Sequence, residues 1–79
     1  MRKINVLIRT TKEIEEFHKA IADSDCKVDA RSMNFKRFVD AKSILGIFSL
    51  DLSQPIHLHI IGSEQEQSDL YEKIKKFEV

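Results

Sequence analysis

Two stretches of this chain read as a strand followed by a capped helix, and they constrain the fold more than any other feature. The first is "KINVLIRTTKEIEEFHKAIA". Ile4, Val6 and Ile8 alternate, which suits a half-buried strand over Lys3–Arg9. Thr10 is followed three residues later by Glu13, the capping-box pattern that starts a helix. Ile14, Phe17 and Ile21 then recur at helical spacing, so the helix runs from about Thr11 to Ala22, and "DSD" stops it. The second stretch is "PIHLHIIGSEQEQSDLYEKIKKFEV". "IHLHII" after Pro55 is a strand by composition. Gly62 ends it, and Ser63 with Glu66 repeats the capping box. Leu70, Ile74 and Phe77 form the apolar stripe of the last helix. Glu64 and Glu66 near its start and Lys73, Lys75 and Lys76 near its end complement the helix dipole.

Between these units, "KVDARS" and "KRFVDA" read as a hairpin. "MNF" supplies the turn, with Asn34 suited to a left-handed conformation. A short helix is expected from Ser43 to about Leu50. The order is β-α-β-β-α-β-α, an α+β fold in a single domain spanning residues 1–79. Three helices on one face of a four-stranded, mostly antiparallel sheet are expected, with the other face open to solvent. At 79 residues the core must be thin, since a domain of that size buries only about 60% of its unfolded surface.

Charge excludes some functions. Thirteen basic residues balance thirteen acidic ones, so the basic excess of a non-specific nucleic-acid or membrane binder is missing. No apolar run approaches the roughly 20 residues that span a bilayer. "MRKINVLIR" is too short and too interrupted by Asn5 for a secretory signal. Cys26 is the only cysteine, so neither an internal disulfide nor a cysteine zinc cluster can form. It reads as a small, partly buried thiol in a cytoplasmic protein. "KEIEE" and "SEQEQSD" are solvated helix starts rather than paired catalytic carboxylates. No Gly-rich phosphate loop and no nucleophile–base pair is visible, so no enzyme activity and no cofactor is expected. His57 and His59 share one face of their strand. A His-x-His pair can supply two metal ligands, but no third lies nearby in sequence. They read as exposed strand residues, on a face that could also pair with a second copy. A monomer or weak homodimer is the expectation.

The short helix "SILGIFSL" carries the candidate site. Ser43 stands at the N-cap, worth about 1 kcal/mol. At about 100° per residue, Ile47 and Leu50 fall near roughly 270°, and Ile44, Leu45 and Phe48 near roughly 50° from Ile44. A two-layer domain can bury only one of these sides, which leaves the other as a candidate partner surface. Gly46 costs about 1 kcal/mol relative to alanine, so a close approach of another chain or element is expected there. The competing reading makes every one of these residues core and Ser43 a cap alone.

"KSILGIFSL" resembles the Lys-Ser-Ile-Met-Gly-Val-Met-Ser-Leu segment of HPr, the phosphocarrier family of the bacterial sugar phosphotransferase system. The element order, the length and "GSE" before the last helix are similar too, over roughly Val28 to Phe77. The resemblance implies an open-faced β-sandwich with sheet order 1-4-2-3. It implies phosphorylation of Ser43 by an ATP-dependent serine kinase, linked in the family to catabolite repression. It also implies docking through Ile44, Leu45 and Phe48, around Gly46, to that kinase, to enzyme I or to a transcriptional regulator. Ile47 and Leu50 match the family's buried positions.

The chain departs from the family at the first helix. HPr carries phosphate on a histidine within Gly-Ile-His-Ala-Arg-Pro, where this chain reads "RTTKEIEEFHKA". The nearest position holds Thr11 or Lys12. His18 lies about two turns into the helix, where backbone N–H groups are already bonded and cannot cradle a phosphate. The expected function is therefore a regulatory or docking module without histidine phosphotransfer. The rivals are a carrier using the displaced His18, and a diverged fold serving as an oligomeric subunit.

Overall fold

The computed structural model describes all 79 residues. Strand β1 spans Arg2–Val6, helix α1 Thr11–Ala22, β2 Lys27–Ser32, β3 Val39–Asp40, α2 Ile44–Phe48, β4 Ile56–Ile61 and α3 Glu64–Ile74, followed by a 3₁₀ turn at Lys75–Phe77. The sheet order is β1-β4-β2-β3, and every pairing is antiparallel. This is the expected α+β open sandwich.

The last strand in sequence lies between the first two. Val6 pairs with Ile56 and Arg2 with Ile60 on one side of β4, and Ser32 with Ile56 and Lys27 with Ile61 on the other. Ile56, Leu58 and Ile60 therefore point into the core, and all three are buried. Val6, Val28 and Ala30 join them from the neighbouring strands. Phe17 and Ile21 of α1, Ile47 of α2, and Leu70, Ile74 and Phe77 at the C-terminal end close the core from the helical layer. Phe17 meets Phe77 edge-to-face, with centroids 5.9 Å apart.

Both capping boxes form as the spacing predicts. Thr10 Oγ1 accepts from the Glu13 N–H, and Ser63 Oγ accepts from the Glu66 N–H. Four expectations need correction. Strand β1 stops at Val6 rather than Arg9, because its partner ends at Ile56, and Pro55 before it has no N–H to offer. Leu7 donates instead to the carbonyl of Phe77, and Val79 donates to that of Asn5. The C-terminal tail thus covers the outer edge of β1, an edge that would otherwise invite another strand. The second hairpin strand shrinks from Lys36–Ala41 to Val39–Asp40. The Arg31 guanidinium donates to the Phe35 carbonyl at 3.2 Å, drawing the Met33–Phe38 connection into a loop. Asn34 is not left-handed; no residue has positive φ, and the turn closes through Phe35 N–H donating to Ser32 O. Helix α2 ends at Phe48, so Leu50 reaches the core from the following turn, and Phe77 does so from the 3₁₀ turn. No helix is long and apolar enough to cross a membrane.

Candidate functional site

Helix α2 has five residues, too few to persist alone in water. It exists because both ends are tied and one side chain is sunk. Ser43 takes extended backbone angles, and its Oγ accepts from the Gly46 N–H at 3.1 Å. Its own N–H donates to the Asp40 carbonyl, while the Asp40 carboxylate accepts from Lys42 N–H. At the other end Ser49 Oγ donates to the Gly46 carbonyl at 2.6 Å.

The side chains divide as the helical angles predict. Ile47 is fully buried, whereas Ile44 is 38%, Leu45 79% and Phe48 56% exposed. Leu50 is half-buried against the core. The reading in which all of these residues are core is excluded.

Gly46 has an internal reason. A Cβ there would lie 2.9 Å from the Asp40 carbonyl oxygen at the end of β3. That neighbour is backbone and cannot swing away, so the close approach is of another element. Gly46→Ala should therefore lower the melting temperature, although alanine gains about 1 kcal/mol in helix propensity. A melt equal to or above that of the parent would show that α2 shifts freely.

His18 Nε2 donates to the Lys42 carbonyl at 2.8 Å. Lys42 Nζ in turn donates to the Ser24 carbonyl at 2.8 Å. These two bonds staple α1 and its C-terminal turn to the segment that leads into Ser43. His18 is half-buried, and this polar bond holds it. No local pattern announces a partner 24 residues away. The N-terminal end of α1 is also occupied from within. Glu13 Oε1 accepts from the N–H groups of both Arg9 and Thr10, at 2.6 and 3.2 Å. A carboxylate thus sits where an incoming anion would look for donors.

The face of the sheet away from the helices is not plain. His57 and His59 are half-buried rather than exposed, and their Nε2 atoms lie 3.1 Å apart. His57 Nδ1 is 2.8 Å from Asn5 Oδ1. The Phe38 ring sits 4.6 Å from that of His59. Burial, and then the charges of His59, Arg31 and Lys3, hold His57 below the usual imidazole range. Cys26 is buried, and burial, then the Glu66 carboxylate, push its thiol up. That suits the inert thiol read from the sequence. A cleft of about 520 Å³, missed because the segment reads as a tight hairpin, opens beside the Met33–Phe38 connection. Phe35, Phe38 and Leu50 line it, with Arg37 among them.

No protein-family model and no curated protein matches this sequence. Among solved structures, the chain is similar to HPr-C-His from Thermoanaerobacter tengcongensis. The TM-score is 0.71 and the identity 24%, covering 96% of this chain and 93% of that one. At that identity the likeness carries the architecture and nothing finer, so what it establishes is that this chain has the HPr fold.

Proposed function

We propose that this protein is an HPr-like regulatory and docking module that meets protein partners through Ile44, Leu45 and Phe48, with Ser43 as its switch. One observation carries the reading: a five-residue helix sinks one apolar side chain and leaves three others exposed beside an N-cap serine. An exposed apolar patch of this kind fits a partner surface. Gly46 belongs to the surface as the point where the helix sits close to Asp40. The partners the resemblance suggests are a serine kinase, enzyme I or a transcriptional regulator of the phosphotransferase system. The proposed setting is the bacterial cytoplasm.

Phosphate on Ser43 would add nearly two negative charges beside the patch. The first-turn N–H groups of Ile44 and Leu45 have no partner inside the helix. Such a change alters which partners fit without unfolding the domain. Histidine phosphotransfer is not part of this role. The first turn of α1 has no histidine, and Glu13 already takes the N–H groups of Arg9 and Thr10 just before it. Phosphate on His18 Nε2 would break its bond to Lys42.

The experiment is incubation with an HPr-type serine kinase and ATP, mapped by mass spectrometry. Phosphate on Ser43, absent from Ser43→Ala, is expected. No modification, with a control HPr modified in the same tube, would refute the switch. Mixing with enzyme I and phosphoenolpyruvate should leave no acid-labile phosphate. Phe48→Asp should lose the bound partner while keeping the fold; if every partner is retained, the oligomeric-subunit reading replaces this one, and light scattering measures it.

A further inference from the structure

The outer face of the sheet holds two imidazoles that converge on one point. His57 and His59 alternate with Leu58, so both project from β4 away from the core. Their Nε2 atoms are 3.1 Å apart. Two nitrogens bound to one metal at about 2.0–2.1 Å lie about 2.9 Å apart at a right angle and about 3.3–3.4 Å apart at the tetrahedral angle. The observed separation falls between these limits, so an ion can bridge both nitrogens once each ring turns its Nε2 off the N–N line and towards the shared ion.

The supporting groups favour the same atoms. Asn5 Oδ1 can only accept, so His57 Nδ1 carries a hydrogen and donates to it. That leaves the lone pair of His57 on Nε2, pointing at His59. An outer N–H bonded to a fixed acceptor is the arrangement that orients a ligating histidine. His59 Nε2 must then donate to His57 in the metal-free protein. Coordination needs His59 to carry its hydrogen on Nδ1, a tautomer change that neither adds nor removes a proton. The Phe38 ring against His59 limits the rotation of that ligand. Two cations and one carboxylate flank the pair: Lys3 and Asp29 lie beside His59, and Arg31 beside His57 across the strands.

We propose that His57 and His59 form a two-histidine chelate for a divalent late transition metal. No group of three or more histidine, cysteine or carboxylate side chains is arranged around a metal position in this protein. Water completes the coordination, and the ion is exchangeable. Imidazole donors suit Cu²⁺, Ni²⁺ and Zn²⁺ and not Mg²⁺ or Ca²⁺. The site is independent of the α2 patch, since it lies on the opposite side of the sheet from Ile47.

The test is titration of the full chain with Zn²⁺ at neutral pH, followed by imidazole ¹⁵N NMR and calorimetry. The expected result is one ion per chain, with the Nε2 signals of His57 and His59 moving together and His18 unmoved. His57→Gln and His59→Gln should each weaken Zn²⁺ binding at least tenfold, and Asn5→Ala by about tenfold, the lower end for losing an outer-shell partner. Circular dichroism of each variant, unchanged, separates ligand loss from misfolding. Mg²⁺ should produce no shift. The chelate is overturned if only one ring responds, if His59→Gln binds as well as the parent, or if no shift appears by millimolar Zn²⁺.

Discussion

Phe17→Ala should lower the unfolding free energy by about 3–5 kcal/mol, the usual range for deleting a buried phenylalanine side chain. Phe17 is fully buried at the middle of α1 and meets Phe77 edge-to-face at 86°. That contact adds about 0.5–1.5 kcal/mol beyond burial alone. It also joins the first helix to the last turn of the chain, 60 residues on. A domain of this length is stable by about 4–12 kcal/mol at 0.05–0.15 kcal/mol per residue, so the loss is a large share of the total. Urea unfolding followed by circular dichroism measures it. A loss under about 1 kcal/mol would mean that neighbouring side chains collapse into the space and that the two-layer core is far looser than described.

Ile47→Ala and Leu45→Ala, two residues apart on one short helix, should differ sharply. Ile47→Ala should cost about 2–5 kcal/mol, and Leu45→Ala should stay within about 0.5 kcal/mol. The physical reason is the depth of each side chain: Ile47 is fully buried and Leu45 is 79% exposed. The loss at Ile47 also has a local consequence. With five residues, α2 has no stability of its own, so amide exchange at Ile47 and Phe48 should accelerate in Ile47→Ala before the sheet loosens. Equal costs for the two substitutions would contradict the division of the helix, and with it the docking surface. For Leu45, the larger effect is expected in partner binding.

Much of the architecture is legible in local chemistry. Both capping boxes are read from residues three apart and form with those same partners. The alternation of Ile56, Leu58 and Ile60 against His57 and His59 sorts the two faces of β4 without any knowledge of its neighbours. The α2 division follows from a fixed 100° step and from Ser43 as the starting point. These are short-range statements, and short-range hydrogen bonds and periodicity suffice for them.

The misses share another cause. The Lys36–Ala41 strand looked plausible by composition, yet Arg31 holds Phe35 and only Val39–Asp40 pair with β2. The end of β1 is set by Pro55, just before a strand fifty residues later, and its edge is covered by Glu78. His18 is fixed by the Lys42 carbonyl, a backbone group that every residue type carries and that no side-chain pattern can mark. The mutual approach of His57 and His59, and the Phe38 ring over them, depend on how the hairpin loop folds back across the sheet.

By itself, then, the sequence of this protein determined where its helices begin, which side chains turn inward, and that Ser43 caps a helix with an apolar outer side. Those properties rest on interactions within a few residues. The tertiary structure decided the edges and lengths of the outer strands, the partner of each histidine and the internal reason for Gly46. The covered edge of β1 and the bond of His18 depend on backbone groups brought together across 20 or more residues, His57 on the Asn5 side chain of a neighbouring strand, and Gly46 on how closely α2 lies on the end of β3.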